Sequence, residues 1–302
     1  MIKDHLLGIS TEGFHNVAYT EWGSQNSEHP PVICVHGYTR NGRDFDALAH
    51  YLSEHGRHVF CPDIAGRGDS SWFQHALHYN FEQYIIDMNA LIARTHSNHV
   101  DWIGTSMGGI IGMMIAALPN SPIRQLILND VGPQIPVHGL KKLGFAKRQT
   151  EFKSFAAAKD YYKEHHAEFG SNLTDKQWDT FTKHSVVQRS DKLFVAKFDP
   201  SIKNPKSTSQ FFSDLFHHPS KILEGTVYDV DMWSTWSKIH CPVLVIHGEH
   251  SELLTPEIIR RMQRIHELTD VFTIENTGHA PALLEEAEHE VIYDWLDAID
   301  HE

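Results

Sequence analysis

The chain has 302 residues, 41% apolar and 22% charged, with 26 basic against 39 acidic side chains and a formal net charge of −13. That length accommodates one large domain or two small ones around a substantial core. The acidic excess argues against a nucleic-acid partner, which calls for a basic patch, and against docking on an anionic membrane.

The first ten residues, MIKDHLLGIS, lack the apolar centre of a secretion signal. The longest apolar run, Ile110 to Leu118, is far too short to span a bilayer. A cytoplasmic protein is therefore expected. The first buried strand is read at Pro31–His36 and ends in Gly37. A helical pattern covers Asp44–Glu54, a strand His58–Cys61, and a helix Phe81–Thr95. Strand Val100–Gly104, helix Met107–Leu118 and strand Gln125–Leu128 follow. Strands alternating with helices predict a mostly parallel sheet flanked by helices on both faces.

The rhythm is lost after Asp130. Residues 131–236 carry charged and aromatic helix-like stretches, such as Phe152–His166 and Asp175–His184. It returns with strand Pro242–His247, helix Pro256–Leu268, strand Val271–Glu275 and helix Leu284–Ile299. The acidic run inside that last helix is read as its solvated face. The expected organisation is one α/β core, 1–130 with 237–302, interrupted by a helical insertion at 131–236. Insertions of this kind leave from loops at the carboxyl ends of strands, where ligands bind, so this one is a candidate lid.

Cysteine and histidine usage bears on metals and redox chemistry. Cys34, Cys61 and Cys241 form no C-x-x-C pair and read as buried thiols. The 24 histidines include no H-E-x-x-H, and His165-His166 and His217-His218 are adjacent pairs without a carboxylate motif. Neither a metal nor an organic cofactor is expected.

The chemistry is suggested by Gly104-Thr-Ser-Met-Gly108. A serine hydroxyl becomes nucleophilic only with a base to take its proton, a group to orient that base, and donors for the oxyanion. A sharp strand-to-helix turn exposes Ser106 to all three, and Gly104 and Gly108 stand where side chains would collide across that turn. The expected base is His279, in Thr277-Gly-His-Ala-Pro281 between the last strand and the last helix. The expected acid is Glu252, in the loop after Val243–Ile246, with Asp130 after Gln125–Leu128 as the alternative. Glu249 reads as a turn residue. Backbone N–H groups of Met107 and Tyr38 are the expected oxyanion donors. Arg40 could recognise a substrate carboxylate, or tie down its own loop through Asp44 or Asp46. Phe152, Phe155, Phe211, Phe212 and Trp233 could line an apolar pocket or join the insertion to the sheet.

These residues resemble the α/β-hydrolase superfamily over nearly the whole length. The resemblance rests on His36-Gly37, Asp63–Ser70, Gly104–Gly108 and Gly278-His279. More narrowly, His36–Phe45, Gly104–Gly109 and Leu128–Pro133 are similar to a group of bacterial serine hydrolases carrying HG-x-TRNGRDF, GTSMGG and LNDVGP. The resemblance implies a Ser-His-acid triad, a cap inserted after strand six, and hydrolysis of esters or related acyl compounds. Where similar proteins usually read G-x-x-S-D, this chain reads Gly248-Glu-His-Ser-Glu252. The Asp63–Ser70 loop is read as structural.

The expected function is a serine carboxylesterase acting on a small to medium ester through an acyl-enzyme, as a monomer or homodimer. A thioesterase, lactonase, perhydrolase or carbon–carbon bond hydrolase uses the same serine chemistry. A ligand-binding homologue without turnover is a separate class, distinguished by a Ser106 that no acylating agent modifies.

Overall fold

A computed structural model describes residues 1–136, 149–166, 173–203 and 230–300. In chain order it begins with β1 (Ile2–Ser10), β2 (Gly13–Trp22), β3 (Val32–Val35), α1 (Asp46–Glu54), β4 (Val59–Pro62) and α2 (Phe81–Arg94). Next come β5 (Val100–Thr105), α3 (Met107–Ala116), β6 (Ile123–Asn129) and β7 (Gln134–Ile135). Then follow β8 (Glu151–Phe152), α4 (Phe155–His165), α5 (Asp175–Ser185), β9 (Val186–Gln188) and β10 (Phe194–Ala196). The last elements are β11 (Val230–Asp231), α6 (Trp233–Trp236), β12 (Val243–Gly248), α7 (Pro256–Ile265), β13 (Thr269–Ile274) and α8 (Glu286–Asp300).

Eight strands form one sheet in the order β1-β2-β4-β3-β5-β6-β12-β13. From β4 to β13 neighbours run parallel. β3, β4 and β12 are buried end to end, as a sheet covered on both faces requires, whereas the edge strand β13 is partly exposed. Along β5 and β6 the alternation sorts side chains between two cores. Trp102, Leu126 and Leu128 pack with Met88 of α2, Ile111 of α3 and Met262 of α7. Ile103 and Ile127 pack with Leu48 and Leu52 of α1 and Leu296 of α8 on the other face. Cys34 and Cys61 are buried free thiols, and Cys241 is partly buried.

Helix starts follow local chemistry. Asn80 caps α2 by accepting from the Gln83 N–H, and Thr255 caps α7 with Pro256 at its first position. Thr174 and Gln177 close a capping box on α5.

The β1–β2 hairpin was not among the expected strands. β1 pairs antiparallel with β2 from Ile2↔Glu21 to Ser10↔Gly13, and β2 pairs antiparallel with β4. Most of β1 is exposed, so it lacks the apolar alternation that marks a half-buried strand.

Between β6 and β12 the parallel order is suspended. Helices α4 and α5 share a small core of Phe152, Tyr162 and Trp178. Beside them lies a three-stranded antiparallel sheet, β8-β10-β9, which the helical reading of this region did not include. β7 pairs with β11 where the segment leaves and rejoins the core. The stretch from His184 to Ile202 is fastened to core loops. Arg40 Nη1 donates to Ser185 Oγ at 2.8 Å, and Asn41 Nδ2 to the His184 carbonyl at 3.0 Å. The Tyr38 hydroxyl donates to the Ile202 carbonyl at 2.8 Å, and the Tyr79 hydroxyl to Asp199 at 2.5 Å. Backbone bonds join Gly68 N–H to the Lys197 carbonyl and Asp199 N–H to the Gly66 carbonyl, both at 2.8 Å.

Candidate active site

Ser106 sits between the end of β5 and the start of α3 with φ 51° and ψ −111°. Few non-glycine residues adopt a positive φ; here the backbone is held by the Ser106 N–H donating to the Asn129 carbonyl and by the Ser106 carbonyl accepting from Gly109 and Ile110. A Cβ on Gly104 would lie 2.4 Å from the Gly108 backbone, and one on Gly108 would lie 2.0 Å from the Val35 carbonyl oxygen. The glycines at minus two and plus two are therefore steric requirements of the corner. Trp102 Nε1 donates to the Gly108 carbonyl at 3.0 Å and pins α3 to β5.

His279 lies on the loop after β13 and is 8% exposed. Its Nε2 is 3.1 Å from Ser106 Oγ, and its Nδ1 is 2.8 Å from Asp130 Oδ2. A carboxylate can only accept. Nδ1 therefore donates to Asp130, which leaves the Nε2 lone pair facing the serine hydroxyl. Two distant loops meet here because Asn129 ties them: its Nδ2 donates to Thr105 Oγ1 at 3.0 Å and to the Pro281 carbonyl at 2.9 Å.

The acid in contact with His279 Nδ1 is Asp130, the alternative of the sequence reading, and not Glu252, the residue it preferred. Asp130 follows β6, is fully buried, and has φ 55°. Its Oδ1 accepts from the Gly248 N–H at 2.9 Å, and its Oδ2 accepts from the Ser251 hydroxyl at 2.6 Å. Together with His279, those donors give both oxygens of the buried side chain a hydrogen-bond partner. Glu252 is exposed. The loop after β12 thus presents Ser251 inward and Glu252 outward, a one-residue difference that loop sequence does not encode. Glu249 accepts from the Asn276 N–H at 2.9 Å, as a turn residue would.

The expected oxyanion donors flank the serine. Met107 opens α3, so its N–H belongs to the first turn, whose donors have no partner inside the helix. Gly37 precedes Tyr38, and a Cβ on Gly37 would stand 3.9 Å from the Ser106 Cβ. The loop is held from below by His36, whose Nε2 accepts from the Ile64 N–H at 2.9 Å while Nδ1 donates to the Gly37 carbonyl at 2.7 Å. Burial lowers the His36 pKa to about 3, so the ring is neutral. Arg67 Nε donates to the Tyr38 carbonyl at 2.9 Å, and Asp63 accepts from Gly42 and Asp69 N–H groups, both at 2.7 Å.

Arg40 and Trp233 both make contacts within the fold. Arg40 is buried, forks onto Asp44, donates to Ser185 and stacks 3.6 Å from the Phe181 ring centroid. These contacts join the loop to α5, the loop-tying role weighed for Arg40, and the same side chain lines a cavity of about 370 Å³. Trp233 is buried in the core, where Nε1 donates to Gln134 Oε1 at 3.2 Å and the Arg261 guanidinium lies 4.0 Å from its ring centroid. Phe152 and Phe155 belong to the α4–α5 core, while Phe211 and Phe212 lie outside the described residues. His217 and His218 lie outside them as well.

A cavity of about 370 Å³ opens between the loop after β3, α5 and the loop before α8, with Arg40 and Asp44 in its lining and none of Ser106, His279 and Asp130. It is lined by Thr105 and Ala280, the chain neighbours of Ser106 and His279, and by Phe45, Phe181, Leu283 and Leu284. Among the described residues one group of three side chains could hold a metal: Glu12, His75 and His78, none of them in the triad. No described helix is long and apolar enough to cross a membrane.

A family profile described as alpha/beta hydrolase fold matches residues 30–286. A 3-hydroxybutyrate-oligomer hydrolase from Cupriavidus necator is 38% identical, over 93% of this chain and 92% of its own. A chain from Rickettsia typhi superposes with TM-score 0.86 at 31% identity, covering 99% of both chains. An alpha/beta hydrolase from Novosphingobium aromaticivorans does so with TM-score 0.81 at 28% identity, covering 98% of both.

Proposed function

Starting from the chain's membership of the α/β-hydrolase family, we propose that it is a serine-dependent ester hydrolase in which Ser106, His279 and Asp130 act as one unit. The observation that carries the reading is the chain of contacts from Ser106 Oγ to His279 Nε2 at 3.1 Å and from His279 Nδ1 to Asp130 at 2.8 Å. Ser106 Oγ attacks the ester carbonyl as His279 Nε2 takes its proton. The oxyanion rests on the Tyr38 and Met107 N–H groups, aided by the N-terminus of α3. Collapse expels the alcohol, which leaves with the proton from His279. A water then attacks the acyl-enzyme with His279 again as base, releasing the carboxylic acid and free Ser106. Asp130 keeps Nδ1 protonated and stabilises the imidazolium that forms in each half-reaction. Residues 131–236 act as the cap over this site, and the cavity beside Thr105 and Ala280 takes an apolar part of the substrate.

The relative from Cupriavidus necator, similar over almost its full length, favours short oligoesters of 3-hydroxy acids as the substrate class. Hydrolysis of p-nitrophenyl acetate, butyrate and octanoate, and of 3-hydroxybutyrate dimer and trimer, tests the proposal. Turnover by the wild type and its loss by at least about 10⁴-fold in Ser106→Ala are expected. Turnover that survives in Ser106→Ala would overturn the serine mechanism. Cleavage of nitrophenyl esters but not of the oligomers would overturn the substrate class alone.

A further inference from the structure

The hairpin turn between β1 and β2 and the loop entering α2 lie 62 or more residues apart in sequence, yet they converge on one carboxylate. Glu12 Oε1 lies 2.7 Å from His75 Nδ1 and 3.3 Å from His78 Nε2. The three ligand atoms all lie within 4.8 Å of one another. Around a tetrahedral zinc with ligands at about 2.1 Å, neighbouring donor atoms stand roughly 3.4 Å apart, close to this arrangement.

The surroundings orient the donors. Glu12 is fixed by two backbone groups, the Gln74 N–H donating to Oε2 at 2.8 Å and the His75 N–H to Oε1 at 2.9 Å. His78 Nδ1 is 3.4 Å from Thr11 Oγ1, and its ring packs edge-on against buried Phe73 with centroids 5.7 Å apart. That contact occupies Nδ1 and directs Nε2 toward the carboxylate, as the outer partners of metal-bound histidines do. His75 is exposed, while the Glu12 and His78 side chains keep 17% and 24% of their surface in solvent, enough for an ion and water to reach the donor atoms.

We propose that Glu12, His75 and His78 form a binding site for a divalent transition ion of the zinc, nickel or cobalt class. Two imidazoles and one carboxylate suit these borderline ions, whereas magnesium and calcium call for all-oxygen sites. The ion replaces the His75–Glu12 hydrogen bond and cross-links the hairpin to the loop before α2. The site is separate from the proposed ester chemistry and needs no activity to be detected. The ligating nitrogens must be free of protons, so affinity falls on acidification.

The test is titration of the full chain with Zn²⁺ by calorimetry, alongside Co²⁺ absorption spectra and thermal melts with and without metal. The wild type is expected to show one saturable equivalent tighter than background and a metal-dependent rise in Tm. His78→Ala and Glu12→Gln are expected to weaken that equivalent by more than about 10-fold and cancel the rise, while melting near the wild type without metal. His250→Ala, on another exposed loop, controls for adventitious histidine binding and should leave both intact. Identical isotherms and melts for the wild type and a Glu12→Gln/His75→Ala/His78→Ala variant would overturn the proposal.

Discussion

Asp130 and Glu252 are both carboxylates on loops after strands, and only placement separates them. Asp130→Asn leaves an amide that can present a donor to Nδ1 and favour the wrong tautomer of His279. A fall in kcat of about 10⁴ is expected. Glu252→Gln should leave kcat within a factor of two or so of the wild type. Measuring kcat for both variants, with circular dichroism to confirm folding, checks the assignment; a collapse confined to the Glu252 variant would reverse it. Ser251 is a positioning residue in this scheme, since its hydroxyl donates to the same Asp130 oxygen that His279 engages. Removing a hydrogen bond to a charged group costs about 1.5–3 kcal/mol. Ser251→Ala should therefore lower kcat roughly 10- to 100-fold with KM unchanged, and Ser251→Thr should restore most of it. A KM effect alone, or no rescue, would remove Ser251 from this role. Ser106 and His279 were legible because each stands in a short motif with a steric or topological reason. Asn129 and Ser251 were not, because their roles are hydrogen bonds to residues 24 to 152 positions away.

Among the elements, the β5–α3 corner and the α5 attachment bear on the site most directly. Gly104→Ala forces a Cβ to within 2.4 Å of the Gly108 backbone. Overpacking at such a contact costs about 1–3 kcal/mol or shifts the corner, so a lower urea midpoint together with lost turnover is expected. An alanine that left both unchanged would show that the corner relaxes freely. Arg40→Ala unpins α5 from the loop after β3. Because its guanidinium is spent on Asp44, Ser185 and Phe181, neutral and anionic esters should lose turnover by the same factor. A loss confined to anionic esters would return Arg40 to substrate recognition. The core strands and helices were legible from apolar runs alternating with helical patterns, with boundaries shifted by a residue or a few. The β1–β2 hairpin and the β8-β10-β9 sheet were not. Their strands are short or solvent-facing, so pairing rather than hydrophobic pattern defines them.

For the molecule as a whole, buried neutral His36 links folding to pH. Its pKa is lowered to about 3 by burial, against the 6.5 of an unfolded histidine. Below about pH 6.5 the unfolded chain takes up a proton that the native state refuses, so stability falls as pH drops toward 3. His36→Gln orphans the Ile64 N–H or the Gly37 carbonyl and should cost about 1–3 kcal/mol at pH 7.5. That deficit should shrink on acidification, because the variant has no proton to gain there. Urea unfolding of both proteins between pH 7.5 and 4.5 measures it, and a deficit independent of pH would sink the linkage.

The fastenings between His184 and Ile202 have a consequence for traffic through the site. Swinging this stretch aside would break side-chain and backbone bonds to the loop after β3, to the turn at Gly66–Gly68 and to Tyr79 at once. In the proposed mechanism, substrate and product are then expected to pass with the stretch from His184 to Ile202 docked. Reagents that staple Ser185 to the loop at Arg40 would leave turnover running, whereas obstruction of the cavity between Phe45 and Leu284 would stop it.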